Sequence, residues 1–567
     1  MTTTRVAPPT PPSDTSPPQP SAPGPNPRTA RAPVFAAVAL TIALAALYGR
    51  TLFPGVGKGD SAELQYMCPL LGICHPPGYA IEVVAGKLIS CLPIGPGVAW
   101  RINFMQMLCG IAGALAVFGI VRRLTRRTWP GLVAAGLLAL SATYWSKSVL
   151  ADVYVFHAMF LALGLYAFVR FVQDRHAGWF YLAAFLLGVT VTQRPAELFV
   201  LPAAGLLWLA HRREGRTGWK RLALGVLLAL LPLLFSVGYY LARENPALLH
   251  ARDDAFRDAI LGKGPAFSEL PLSLRVREAL RYCLGLKAAG REDFTAFSWS
   301  QLRWDLNKYA WRLSGLGGLH DRYSPEQVAR DDDIRFRQRQ QGHGTGIGLL
   351  GLALVLAGLA CWWRYRDGVL LGAGLFAGNL AYYLYMHPVD NLDFVIPGLM
   401  GMSILAGLGV ARLAAIRRRW LARTLQGACV AAPLFLAITN YRYMDPRNDA
   451  DQTHLQLCRL VAVTPLPQNP VIIATYTRAH VLRYVYWVEA GRTNVRVLIY
   501  RERFEPTAAY QQIIALRKQG YSVLISSEGI KSERKRRIFA SWSPRELVDI
   551  GIYWAYPRLR RPVPIHR

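Results

Sequence analysis

Lysine is scarce in this chain, ten residues among 65 basic ones, and acidic side chains number only 35, leaving a formal net charge of +30. A positive balance of that size points first to nucleic acid, but a nucleic-acid domain gathers its Lys and Arg on one polar unit. Here the arginines lie in short loops between long apolar runs, which excludes that class and follows the charge pattern of membrane topology. Cysteine is sparse too: eight residues, scattered, with no Cys-x-x-Cys pair, so a disulfide scaffold and a zinc or thioredoxin-type centre are excluded. Cys68, Cys74 and Cys91 share one segment, where a disulfide and buried free thiols fit the sequence equally well. There is no internal repeat, no Gly-rich turn after a strand to cradle a nucleotide, and no inverted pair of broken helices of the transporter kind.

What is present is apolar. Hydrophobic residues make up 52% of the chain and the mean hydropathy is +0.20, in runs that cross a bilayer at roughly 20 residues each. Residues 1–33 are dominated by Pro, Ser and Thr and read as a disordered cytoplasmic tail, since that composition buries no core. Arg28 and Arg31 precede the first run, 34–53, which sets the N-terminus in the cytoplasm. Further spans are expected at about 99–121, 129–146, 150–170, 178–193, 197–211, 222–242, 346–363, 368–386, 394–415 and 420–440, about 11 transmembrane helices in all. The connections placed inside carry Arg122, Arg123, Arg126 and Arg127; Arg170 and Arg175; Arg212, Arg213 and Arg216; Arg364 and Arg366; and Arg417, Arg418 and Arg419. Those placed outside carry far fewer cations, notably Lys58, Lys147 and Arg194. The fold class is therefore mainly α, a polytopic protein of a bacterial cytoplasmic (inner) membrane, with residues 34–440 as its transmembrane domain and outer loops at 54–98 and 243–345.

From 445 to 567 the pattern changes to short elements. Strands are expected at 470–475, 494–500 and 521–526 and helices at 479–490 and 507–519, a small extracytoplasmic α/β domain. In the first outer loop, 78–92 alternates apolar turns with Glu82, Lys87 and Ser90, as a surface-lying helix would. In the second, Trp304 and Trp311 share a helical face and read as an interfacial anchor.

Ionisable residues are costly to keep at a bilayer, so their positions are informative. Asp60 and Glu63, followed by His75-Pro76-Pro77-Gly78-Tyr79, fall in the first outer loop. The outer span ends add Arg101 and Asn103, Asp152 and Tyr154, Arg194 and Glu197, and His387, Asp390 and Asp393. Carboxylates beside cations suit a reaction with an anionic leaving group: a base takes a proton while the cations hold developing charge. Each residue also has a structural reading. Asp60 fits a helix N-cap with Glu63 as its capping-box partner, Asp152 a cap, and Arg194 a snorkelling interface residue. His75 is held extended ahead of Pro76, as in ordinary turns, and Tyr382, Tyr383 and Tyr385 fit an aromatic belt.

Gly59-Asp60-Ser61-Ala62-Glu63, Gly72-Ile73-Cys74-His75-Pro76-Pro77-Gly78-Tyr79, Arg101-Ile102-Asn103 and Ala151-Asp152-Val153-Tyr154 together resemble a broad membrane family long known only as a domain of unknown function. Its animal members include an endoplasmic-reticulum protein O-mannosyltransferase acting on plexin-type receptor domains. The family is placed among the GT-C polytopic glycosyltransferases, which take a sugar from a polyprenyl-phosphate donor. The chain departs from it at Ala80-Ile81-Glu82, where Pro-Leu-Tyr is frequent, and at Asp152, where Glu is common. The resemblance implies inverting transfer from a polyprenyl-phosphate sugar to a hydroxyl of an exported protein or envelope glycan. It implies Asp60 as the base, with Glu63 and Asp152 beside it as catalytic carboxylates. Lys58, His75, Tyr79, Arg101, Asn103, Tyr154 and Arg194 would bind the substrates. The expected partners are that donor, the acceptor and membrane lipids, with no nucleic acid. A divalent cation would find hard oxygen ligands at the carboxylates, although the sequence does not require one. Two rival classes remain: a lipid or solute transporter, which calls for charges near the midplane of the spans, and a non-catalytic envelope scaffold whose acidic residues are caps.

Overall fold

The computed structural model describes residues 27–211, 218–244, 267–286, 346–386, 468–500 and 515–525, almost all of 393–444, and isolated positions between these stretches. The tail to residue 26, most of the 243–345 loop with Trp304 and Trp311, and His387 and Asp390 lie outside the described residues.

The apolar runs form helices. Among the described residues seven are long and apolar enough to cross a membrane: Ala32–Thr51 within α1 (Pro27–Thr51), α4 (Val98–Thr125), α7 (Val153–Asp174), and the segments Trp219–Arg243, Arg366–Tyr385, Ile396–Leu413 and Trp420–Tyr441. Four shorter apolar helices, Thr128–Ala139, Ala177–Gln193, Pro195–His211 and Gly348–Leu359, occupy the other expected spans. The protein is thus a mainly helical, multi-pass membrane protein. Small residues let its helices touch by their backbones, as bilayer packing favours. A Cβ at Gly358 would lie 1.9 Å from the Leu405 carbonyl oxygen and one at Gly409 2.1 Å from that of Leu354, so Gly348–Leu359 and Ile396–Leu413 meet at glycine on both sides.

One expected span is corrected. Residues 129–146 are not continuous: α5 (Thr128–Ala139) stops, Ser141 is extended at φ −64° and ψ 140°, and α6 (Ala142–Val149) begins. A break among apolar helices exposes carbonyls that lipid cannot solvate. Here the Tyr48 hydroxyl donates to the Ala139 carbonyl at 2.6 Å and Asn440 Nδ2 donates to that of Leu140 at 2.7 Å. Side chains from α1 and from the helix Arg419–Met444 therefore stabilise the break. The interruption leads directly to the Leu150–Asp152 turn of the candidate site.

The surface-helix reading of 78–92 is also corrected. In α3 (Ala80–Ser90) Glu82 faces inward, fully buried, and accepts from Gln106 Nε2 of α4 at 2.7 Å.

Helices α4 and α7 run from the end of the bundle that holds the sequence motifs to an opposite end where the loop arginines gather. There Arg122, Arg123, Arg126, Arg175 and His211 line an open cavity of about 780 Å³, with Asp174 bridging Arg123 (2.8 Å) and Arg170 (2.5 Å).

At the C-terminus β1 (Pro470–Thr475), β2 (Arg496–Tyr500) and β3 (Ser522–Ile525) form a parallel sheet in the order β2-β1-β3. The helix expected at 479–490 starts three residues earlier, as a helix over Tyr476–Arg483 that widens into a π-helix over Tyr484–Glu489. Of the helix expected at 507–519, residues 507–514 lie outside the described residues. The unit docks on α2 (Asp60–Leu70): Tyr66 of α2 is fully buried between His480 and Trp487.

Candidate active site

Gly59, at φ +55°, turns the chain into α2 so that Asp60 is the first helical residue and not the cap. The capping-box reading of Asp60 and Glu63 is thereby overturned: the cap position makes no side-chain hydrogen bond, and Glu63 faces the other way. Its Oε1 accepts from the main-chain N–H of His75 at 3.0 Å and its Oε2 lies 2.5 Å from His75 Nδ1. The Pro76–Pro77 turn then brings Tyr79, at φ +50°, under the imidazole, with ring centroids 5.1 Å apart. Asp60, Glu63 and His75 offer ligand atoms within 4.8 Å of one another, so a divalent cation would find two carboxylate oxygens and one imidazole nitrogen there.

Burial pulls the His75 imidazole down, but the Glu63 carboxylate, helped by Asp60 and Asp152, prevails and raises it from 6.5 to about 10. Because the folded value lies above the ordinary one, the stability from the Glu63–His75 pair is full below about 6.5 and is lost as pH rises through about 10. Thermal midpoints measured from pH 6 to 10.5 should therefore fall toward the alkaline end, and His75→Gln should flatten that limb. An unchanged limb in the variant would exclude His75 as its source.

A second group forms where α6, α7 and α8 (Ala177–Gln193) end. Lys147 Nζ lies 2.7 Å from Asp152 Oδ2, both side chains more than nine-tenths buried. Asp152 occupies the N-cap position of α7 but makes no capping bond, so the capping reading fails here as well. Tyr154 lies under two cations, Lys147 at 5.5 Å and Arg194 at 4.6 Å from its centroid. Arg194 is not a snorkelling residue: it is 8% exposed, packed on Phe394 at 4.3 Å and facing Tyr382 at 6.0 Å. Its Nε is 3.8 Å from Glu197, which also lies 3.1 Å from His157, and its Nη2 has no hydrogen-bond partner among the described residues.

Two of the remaining expected residues brace the backbone. Arg101 donates to the carbonyls of Ile94 and Ser90, each at 2.7 Å. Asn103 is fully buried, donates to Phe53 (2.8 Å) and Gly55 (3.1 Å) carbonyls, and accepts from Gln65 Nε2 (2.7 Å) and the Ala151 N–H (2.9 Å). It ties three segments of the site together. Lys58 is 9% exposed in the turn before α2. Cys68 and Cys74 are buried free thiols and Cys91 an exposed one.

Sequence reasoning missed the contribution of the C-terminal unit. The Tyr476 hydroxyl donates to Asp60 Oδ1 at 2.5 Å across 416 positions of chain, and nothing local in Tyr476-Thr477-Arg478-Ala479-His480 signals it.

A multi-pass helical bundle with carboxylates and buried cations at one end, roofed by a parallel α/β unit, is the class this architecture defines. Residues 60–217, which hold Asp60, Glu63, His75, Asp152 and Arg194, match the family model described as the Protein O-mannosyl-transferase TMEM260 N-terminal domain. The mouse Protein O-mannosyl-transferase TMEM260 is 27% identical over 493 residues, 81% of this chain and 62% of its own length. The Dictyostelium discoideum protein of the same name is 31% identical over 193 residues, 31% of this chain and 24% of its own. The chain thus spans less than two thirds of the length of either relative. Among solved structures, ArnT from Cupriavidus metallidurans in the apo state aligns over 88% of this chain and 94% of its own at 13% identity, with a TM-score of 0.49. The resemblance carried by the motif blocks is therefore met independently by the family match.

Proposed function

We propose that this protein is an inverting glycosyltransferase of the GT-C type. It moves a sugar, mannose by the names of its relatives, from a polyprenyl-phosphate donor to a hydroxyl of an exported protein or envelope glycan. The observation that carries this reading is the pairing, at one end of the bundle, of two groups. One is a carboxylate already accepting a hydroxyl, Asp60; the other is a buried guanidinium with an uncommitted N–H, Arg194. Tyr79 stands in the field of both charges and of Tyr154.

In a single displacement the acceptor oxygen forms a bond to the anomeric carbon while the bond from that carbon to the phosphate oxygen breaks. The acceptor proton passes to Asp60 and the electron pair leaves with the polyprenyl phosphate. Arg194 holds that phosphate. A guanidinium packed on Tyr154 and Phe394 cannot follow the anion into water, so its donors stay aimed at where charge develops. Lys58, Tyr79 and Tyr154 line the sugar and phosphate sites, Glu63 and His75 fix the loop after α2, and Asp152 orients Lys147. Arg101 spends its Nε and one Nη1 N–H on carbonyls and keeps its Nη2 donors for the phosphate, and Asn103 holds the backbone around the site. We assign the site to the outer face of the cytoplasmic membrane, from the arginines at the opposite end.

The test is reconstitution in liposomes with a polyprenyl-phosphate-linked labelled mannose and a Ser/Thr peptide or a soluble glycan. Label on the acceptor hydroxyl with inverted anomeric configuration is expected. Movement of donor or free sugar across the bilayer with no transfer to any acceptor would overturn the reading in favour of transport.

A further inference from the structure

Tyr476 follows directly on β1, the central strand, at the carboxyl edge of the sheet, where α/β units present their functional turns. Its hydroxyl donates to Asp60, and its ring covers Gly59, 3.5 Å from where a Cβ would stand. Residues further along the same helical face fix this reach. His480 packs edge-on against Tyr476 at 4.5 Å and its Nδ1 lies 3.0 Å from the Tyr66 hydroxyl. Arg483 donates to that same hydroxyl at 3.1 Å and to the Val497 carbonyl at 2.6 Å. Tyr66, His480 and Arg483 are all buried, so the Tyr476 helix is pinned to α2 six residues past Asp60. Tyr476 itself is 40% exposed, on the open side of the contact.

We propose that Tyr476 is a positioning residue of the active site. It holds one oxygen of Asp60 so that the other is presented to the acceptor hydroxyl, which makes the C-terminal unit part of the catalytic apparatus. This rests on the assignment of Asp60 as base. A carboxylate on the first residue of a helix, without a capping bond, turns about two side-chain torsions. A donor anchored to a second element removes that freedom before substrate arrives. Burial, with the Asp60 and Glu63 charges, pushes the Tyr476 phenol well above its ordinary range, so it stays protonated and acts as a donor, not as a second base. The sheet is thereby coupled to chemistry: displacing its central strand relative to α2 turns the base.

The experiment uses the full chain in liposomes with the labelled mannose donor and peptide. Tyr476→Phe keeps the ring over Gly59 and removes only the O–H. The expected result is a kcat about 10-fold lower, the scale of one charge-assisted hydrogen bond, with donor KM and thermal midpoint unchanged. Tyr476→Gln, which returns a donor, should recover part of the rate. In an Asp60→Asn background Tyr476→Phe should cost nothing further. A wild-type kcat in Tyr476→Phe, beside an inactive Asp60→Asn, would overturn the positioning role and leave the base in place. A faster Tyr476→Phe would overturn it too, since the hydroxyl would then be obstructing the acceptor. A wild-type rate in Asp60→Asn would remove the base assignment itself.

Discussion

Asp60→Asn is expected to lower the rate of sugar transfer by about 10²- to 10⁴-fold, the range that a positioned general base contributes. The amide matches the carboxylate in shape. Its oxygen still accepts the Tyr476 O–H, and α2 keeps its start at Gly59, because that turn depends on backbone conformation and not on an Asp60 cap. What is lost is the capacity to take a proton. The acceptor oxygen must then attack as a neutral hydroxyl, and the anionic phosphate leaves without a matching proton transfer. Binding should persist, since the donor phosphate is held by Arg194 and not by Asp60. The measurement is single-turnover transfer with the donor pre-bound, beside thermal midpoints. A variant that transfers at wild-type rate would exclude Asp60 as the base.

Much of the fold can be read from the chain because a bilayer imposes strong rules. Long apolar runs must be helical, and arginines collect in loops at one end, so Arg122, Arg123, Arg126 and Arg175 do meet around one cavity. What cannot be read is anything settled by partners far along the chain. The break after α5 is marked locally only by Ser141 and Thr143, and it is stable because Tyr48, 91 residues away, and Asn440, 300 residues away, take its carbonyls. The same holds at the site. A turn with Asp60 and Glu63 three apart reads as a capping box, but Glu63 is claimed by His75 and Asp60 by Tyr476. Nothing local shows that Arg101 spends its Nε and one Nη1 donor on the Ile94 and Ser90 carbonyls. Types and spacing mark which residues are costly to keep; only the fold says what each one touches.

The largest stability effect is expected from Lys147→Met, a loss of about 3–5 kcal/mol, because it strips the Asp152 carboxylate of a buried counter-ion. Lys147 and Asp152 side chains are 9% and 7% exposed and 2.7 Å apart, so Coulomb attraction there is poorly screened and water cannot replace the ammonium. Methionine fills nearly the same volume along the stem, which isolates the charge from the packing. Adding Asp152→Asn to Lys147→Met should return most of that loss, since a neutral amide carries a far smaller desolvation penalty than an unpaired carboxylate. Unfolding in detergent for both single variants and the double variant gives the coupling directly. A fully additive cycle would mean that the two groups do not depend on each other. The activity of the folded double variant then separates two roles the pair combines. If transfer recovers along with stability, Lys147 and Asp152 hold the turn that joins the broken span to α7. If stability returns and transfer does not, one of the charges acts on the substrate, and the packing of both Lys147 and Arg194 against the Tyr154 ring makes the phosphate the group it would meet.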